Sequence, residues 1–359
     1  LNVNINTILG TGANLRASDG VRIALRRLTS PTSYWFDPAA LWSNDASTYT
    51  SVNPAVGAPQ NWTRTLSGPY AQTNSSFSMT LTGINSANQQ SVPAVTREFV
   101  VDDGKPTGQF ISPAAAACPG EPSVAACLNF LPSIVGTAVD PGNPAGVAAT
   151  ITDVWIRLKD NQDVVNPFWN GTVFQPALSD IVASTANPGS VVDWSSTTLA
   201  EPALRDGVDY TLFMFGRDRA GNNAADTPQM SQFKFAWDRT APTAWLISPS
   251  SGEVYMNLAA VTGTAVDPPG ASGPMKSGVT SVKLRVYSPA DDLCFLGGVF
   301  GPCEAAPELA VTGTDPWQYV NAALTGQLVS GTTYVISVRA SDAAGNVQAG
   351  FTPVISSRT

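Results

Sequence analysis

The sequence predicts an all-β chain, three tandem antiparallel β-sandwich modules forming an elongated rod. Three observations predict it: a long internal repeat, period-two alternation of apolar residues in short runs, and Gly, Pro, Asn and Asp punctuating those runs. The repeat is the strongest signal. Ile134–Asp140 (IVGTAVD) returns as Val261–Asp267 (VTGTAVD), with Ile8–Asn14 (ILGTGAN) as a looser first copy. Asp218–Asn222 (DRAGN) returns as Asp342–Asn346 (DAAGN), and Asn85–Asn88 is its degraded first version. A spacing of about 125 to 133 residues suits one sandwich with insertions, and repeated modules more often set reach and spacing than perform chemistry. The expected modules are residues 1–101, 102–237 and 238–359.

The strands follow in order within each repeat. Val21–Leu25, Val154–Lys159 and Val282–Val286 alternate apolar and polar residues; Val154, Ile156 and Leu158 share one face. Phe77–Leu81, Tyr210–Met214 and Tyr334–Val338 form a matching later strand, and a tryptophan precedes each of them: Trp62, Trp194 and Trp317. These tryptophans read as core packing rather than ligand stacking. No window of a dozen residues carries a helical period, so the many short strands assemble as antiparallel sandwiches.

Composition narrows the setting. Of 359 residues, 43 % are hydrophobic, enough for packed cores, and 13 % are charged, too few for a disordered chain. No apolar stretch reaches the ~18 residues a membrane span needs. Leu1–Asn4 reads as strand, so any export signal is removed or lies outside this sequence. A net charge of −8 with 19 basic residues makes a poor binder of phosphate backbones, which disfavours nucleic acid. The four cysteines form two pairs, Cys118/Cys127 and Cys294/Cys303, each in a Pro/Gly-rich insert. Local disulfides closing short loops are expected, contributing ~2–3 kcal/mol each, and they imply an oxidising compartment. The alternatives are free thiols or a zinc site, the latter without any C-x2-C spacing.

Leu204–Tyr210 and Leu328–Tyr334 place a leucine six residues before a tyrosine with glycine between, which resembles the tyrosine corner of immunoglobulin-like and fibronectin type III domains. Asp238–Thr243 (DRTAPT) joins repeats two and three, and Asp102–Thr107 (DDGKPT) occupies the preceding junction. Together with the G-T-A-x-D and D-x-A-G-N segments, these resemble tandem bacterial Ig-like (fibronectin type III-like) domains. Repeats two and three match throughout. Repeat one matches from its second strand onward and lacks both motif aspartates. The resemblance implies an extracellular or cell-surface bacterial protein, as part of an adhesin stalk or as appendages to a secreted enzyme. Because repeat one lacks its first strand, the chain reads as an excerpt from a longer array; a strand donated by a neighbouring chain is the sharper alternative.

In such a sandwich the module start, the B–C loop and the F–G loop share one end. That brings Asp102, Asp140 and Asp218 together in repeat two, and Asp238, Asp267 and Asp342 in repeat three. Three carboxylates with loop carbonyls suit Ca2+, a hard cation taking six to eight oxygens, and related arrays carry calcium at such junctions. The competing reading is that each aspartate caps its own turn while Asn222 and Asn346 supply left-handed geometry. Repeat one offers Asn14 and Asn85 instead, and no cation is expected there.

Each repeat also carries an aromatic insert: Tyr34–Phe36 with Trp42, Phe168–Phe174, and Phe295–Phe300. Asn170-Gly171 and Gly297-Gly298 are hairpin-turn pairs, so each insert begins as an aromatic β-hairpin. Packing against the module is one role; stacking on a glycan is the other, with Tyr34, Trp35 and Trp42 as its best candidates. Catalysis has little support. The chain has no histidine, which removes Ser-His-Asp and Cys-His arrangements. The acid pairs Asp102-Asp103 and Asp291-Asp292 read as solvated turns. The expected function is therefore non-enzymatic: a stalk, fibre or surface-layer module whose partners are neighbouring copies. The alternative is a set of accessory modules presenting aromatic hairpins to a polysaccharide.

Overall fold

A computed structural model of the chain describes residues 7–28, 32–36, 41–43, 49–56, 59–65, 75–102, 104–131, 133–140, 150–185, 189, 191–196, 204–223, 230–305, 308–349 and 357–358. Asp103 lies outside them. The described chain is all-β with sheets that are antiparallel apart from one short parallel pairing, Ala126–Leu128 with Phe235–Trp237, and every described strand pairing joins strands within 7–101, within 107–237 or within 243–358. No described helix is long and apolar enough to cross a membrane.

The first set comprises β1 (Thr7–Gly12), β2 (Val21–Arg27), β3 (Ser33–Phe36), β4 (Leu41–Ser43), β5 (Thr50–Val52), β6 (Gln60–Thr65), β7 (Ser75–Gly83) and β8 (Val95–Val101). β1 pairs β6, facing a sheet of order β4-β3-β2-β7-β8. The second comprises β9 (Thr107–Ser112), β10 (Ala126–Leu128), β11 (Ile134–Val139), β12 (Ile151–Asp160), β13 (Phe168–Trp169), β14 (Phe174–Gln175), β15 (Ile181–Val182), β16 (Ser184–Thr185), β17 (Val191–Ser196), β18 (Val208–Asp218) and β19 (Ser231–Trp237). Its sheets run β16-β17-β11-β9 and β10-β19-β18-β12-β13-β14. That order is the Ig-like one, with the third and sixth main strands central in one sheet and the second and fifth in the other. The third comprises β20 (Thr243–Ser248), β21 (Val261–Val266), β22 (Val279–Ser288), β23 (Leu293–Phe295), β24 (Phe300–Pro302), β25 (Leu309–Ala310), β26 (Trp317–Tyr319), α1 (Ala322–Gln327), β27 (Val335–Asp342) and β28 (Ser357–Arg358). Its sheets are β20-β21-β26 and β24-β23-β22-β27-β28.

Alternation places the core. Ile134, Gly136 and Ala138 face inward along β11, and Val154, Ile156 and Leu158 meet them from β12. The glycine shared by the three repeats has a packing cause. Gly10 sits opposite Trp62, Gly136 opposite Trp194, and Gly263 opposite Trp317 in the strand register. Each indole lies across its glycine; a Cβ on Gly136 would stand 2.5 Å from the Trp194 ring. The expected core role of the three tryptophans holds, since all are buried.

The aromatic hairpins recur with the same regularity. Cross-strand pairs Trp35/Trp42, Trp169/Phe174 and Phe295/Phe300 have ring centroids 5.4, 5.1 and 5.5 Å apart. The outer ring of each pair then meets the later strand: Trp42 on Phe77, Phe174 on Tyr210, Phe300 on Tyr334, at 5.8, 6.0 and 5.6 Å. The tyrosine corners form as expected, with Arg205 N donating to Tyr210 Oη and Val329 N to Tyr334 Oη. Phe77 has no hydroxyl, so the first set has the ring without the tie. Burial raises the Tyr210 hydroxyl far above its ordinary value, so it stays protonated. Both disulfides are formed, Cys118–Cys127 and Cys294–Cys303, with Cα atoms 5.5 and 4.8 Å apart.

Candidate metal centres

The two acidic clusters assemble where the repeats place them. In the second sandwich Asp102 precedes β9, Asp140 follows β11 and Asp218 ends β18; in the third, Asp238, Asp267 and Asp342 take the same places. All six are buried, and within each trio one carboxylate oxygen per residue lies within 4.8 Å of the others.

The Asp-x-Ala-Gly-Asn turn positions one carboxylate and ties it to the start of its sandwich. Asp218 Oδ1 accepts from Gly221 N and Asn222 N at 2.8 and 2.9 Å; Asn222 Nδ2 donates to Asp218 Oδ2 and to the Asp102 carbonyl. The third sandwich repeats this arrangement: Asn346 N and Nδ2 donate to the two Asp342 oxygens, and Nδ2 also reaches the Asp238 carbonyl at 2.9 Å. The turn-capping role expected of these aspartates is therefore present alongside the clustering. The left-handed residue differs from expectation. Gly221 and Gly345, both at φ +94°, supply it, not Asn222 and Asn346. Glycine has no Cβ to strain there, which frees each asparagine to act as a double donor.

The third cluster is described on all sides. Asp238 Oδ1 accepts from Thr240 N and Oδ2 from Ser277 N. Asp267 Oδ2 accepts from Gly278 N at 2.6 Å and Ser277 Oγ at 3.4 Å. Asp267 Oδ1 accepts no hydrogen bond from the described residues, although the residue is only 4 % exposed. Burial, with Asp238 and Asp342 nearby, pushes the Asp267 carboxyl up to about 6. Asp342 is raised too, chiefly by burial and then by Asp238. Three buried carboxylates that repel one another are chemically suited to a divalent cation with oxygen ligands. In the second cluster the B–C loop, 141–149, lies outside the described residues.

The first sandwich closes the same end differently. Arg16 Nη1 donates to Asn88 Oδ1 at 2.6 Å, and the guanidinium also pairs with Asp19, which Arg22 meets at 2.9 Å. Asn85 caps its turn through Ala87 N and Gln89 N, and Asn88 is left-handed at φ +64°. A fixed guanidinium thus bridges the B–C loop and the F–G turn. Nothing in the repeat motif marked Arg16 for this; its position two residues after Asn14 is the available signal.

Among the candidate stacking residues, Trp35 requires a correction. Trp35 is 2 % exposed, Trp42 is half-buried between Trp35 and Phe77, and Tyr34 is half-buried beside the Arg26 guanidinium. Trp35 and Trp42 are therefore taken up by the hairpin's own packing, while Tyr34 lies beside Arg26. Asp291 and Asp292 sit in a turn, accepting from Ser288 Oγ and Tyr287 Oη.

No family model matches the chain, and no curated protein matches it. Among solved structures, it is similar to a tetra-tandem repeat in the extending region of a large adhesion protein: 14 % identity, 98 % of this chain and 69 % of that one, TM-score 0.27. It is similar also to the FN1–FN3 domains of chicken CNTN1, at 10 % identity, 98 % of both chains and TM-score 0.31. A third is human CDH23 EC21–23, at 12 % identity, 94 % of this chain, 87 % of that one and TM-score 0.21.

Proposed function

We propose that the chain is a non-enzymatic extracellular structural protein. Three Ig-like modules, 1–101, 102–237 and 238–359, form a rod in a bacterial adhesin stalk, fibre or surface layer, with Ca2+ at the heads of the second and third. The observation that carries the reading is the pair of matched, buried three-aspartate clusters at the starts of successive sandwiches. Asp102, Asp140 and Asp218 would hold one ion, and Asp238, Asp267 and Asp342 the other. A bound cation neutralises carboxylates that otherwise repel, and it binds the folded state in preference to the unfolded chain, where the trio is scattered. The two disulfides support an oxidising compartment. Neighbouring copies are the proposed partners, and Ile111 and Ile247 occupy matched, exposed positions on β9 and β20.

The test is calorimetry of chelator-treated chain with and without Ca2+. At a hundred times Kd, one site contributes ~2.7 kcal/mol and raises Tm. Asp267→Asn should abolish the part due to the third module. An unmoved Tm would overturn the calcium reading.

A further inference from the structure

The third cluster is walled partly by the second sandwich. Ser277, fully buried, donates its N–H to Asp238 and its hydroxyl to Asp267, while its carbonyl accepts from Gly120 N at 2.9 Å. Gly120 belongs to the loop closed by Cys118–Cys127. A Cβ on Gly120 would stand 2.8 Å from Gly278 N, so the two backbones meet without room for a side chain. Two further contacts come from the chain just after Cys127. The Leu128 carbonyl accepts from Asp238 N at 3.0 Å, and Asn129 Nδ2 donates to Asn346 Oδ1 at 3.2 Å, orienting the amide that holds Asp342. Cys118, Cys127 and Ala236 pack with Ala344 and Met275 in one small apolar cluster across the junction. Each of the three carboxylates is thus reached through one residue, Ser277 or Asn346, by segment 118–129.

We propose that the Cys118–Cys127 disulfide sets the divalent-cation affinity of the Asp238/Asp267/Asp342 site in the following sandwich. The inference rests on the cation reading of that cluster, which the buried Asp267 Oδ1, without a hydrogen-bond partner among the described residues, supports. The cross-link restricts the loop that holds Ser277 from behind. Without it the loop has more conformations, and ordering Ser277 and Asn346 around the ion costs more. Linkage makes the coupling reciprocal, so a bound cation must also resist opening of the disulfide. The second disulfide, Cys294–Cys303, closes the β23–β24 hairpin and contacts none of the three aspartates through the hydrogen bonds above.

The experiment is calorimetric titration of Ca2+ into chelator-stripped full chain carrying Asp140→Asn, which leaves the third site as the one measured. Adding Cys118→Ala and Cys127→Ala should weaken binding on the order of tenfold, whereas Cys294→Ala with Cys303→Ala should leave it unchanged. If the Asp140→Asn chain binds no Ca2+, or if Asp267→Asn does not remove the binding, the cation reading itself fails. If Ca2+ binds equally with and without Cys118–Cys127, the cation reading stands and the coupling is overturned. A second measurement needs no cysteine variant. An external dithiol reduces the disulfide to two thiols and is oxidised to its own disulfide; mass-tagging of Cys118 and Cys127 after equilibration at fixed ratios of reduced to oxidised dithiol reads the fraction reduced. A smaller fraction reduced in Ca2+ than in chelator supports the coupling, and equal fractions overturn it.

Discussion

Gly207 and Gly331 permit a controlled test of how tightly the second and third sandwiches are joined. They hold equivalent places in the turns before β18 and Tyr334, with φ of +81° and +82°. Replacement by alanine therefore meets the same left-handed penalty at both, ~1–2 kcal/mol. Their surroundings differ. Nothing lies within 4 Å of a Cβ added to Gly331, whereas one on Gly207 would stand 2.8 Å from Gly270 Cα and 2.9 Å from the Gly273 carbonyl carbon. Those neighbours are backbone of the third sandwich, with no side chain to swing aside. The junction is held there by Met275 N donating to the Gly207 carbonyl and Ser272 N to the Asp206 carbonyl, both at 2.9 Å. Overpacking costs ~1–3 kcal/mol, and that is the expected extra loss in Gly207→Ala over Gly331→Ala. Urea denaturation measures the difference, and hydrogen exchange at Ser272 and Met275 locates it. Equal losses in the two variants, with both amides as protected as in the parent, would refute a packed junction.

Three further outcomes are expected. Asn346→Ala removes donors to the Asp342 carboxylate and the Asp238 carbonyl, and should lower stability by ~1.5–3 kcal/mol in thermal denaturation. Gly263→Ala drives a methyl into the Trp317 ring and the Trp245 carbonyl; a loss of ~1–3 kcal/mol and altered tryptophan emission are expected. In chelator, Asp267 and Asp342 have raised carboxyl pKa values, so between about pH 4 and 6 the folded state binds more protons than the unfolded one and stability falls as pH rises. Asp206 and Asp209 are held below the ordinary carboxylate value; the stability they contribute is lost only at still lower pH, outside that window. Tm measured across pH 4–6 in chelator should therefore decline, and Ca2+ should reverse the decline.

Much of this architecture is legible in local pattern. Alternation identifies β2, β12 and β22, and the repeated Asp and Asn identify the loops that converge at each sandwich head. What local pattern does not carry is which distant residues meet. Gly136 and Trp194 are both visible in the repeat, but their pairing depends on strand register across 58 residues, so the reason for the glycine emerges only from the sheet. The hairpin aromatics and the corner tyrosine are likewise separate signals until Phe174 is seen against Tyr210. Three aromatics exceed what one hairpin needs, which makes Trp35 a stacking candidate in sequence; Phe77 and Phe99 extend the stack that takes up Trp35 and Trp42. Asn and Gly both tolerate left-handed backbone, so the sequence reading assigns it to Asn222 where the structure gives it to Gly221. The Gly120–Ser277 contact lies between two sandwiches and has no local signature at all.

The pairing of β10 with β19 is parallel, Ala126 to Leu128 against Phe235 to Trp237. One strand lies near the entry to the second sandwich and the other at its exit, so tension along the chain draws them in opposite directions along their length. Their hydrogen bonds are then loaded in shear and must yield together, unlike a hairpin peeled from one end. Cys127 sits within β10, and its bond to Cys118 removes the intervening loop from the path of the force. The same short strand therefore meets two demands, resisting extension of its own sandwich and seating the next one.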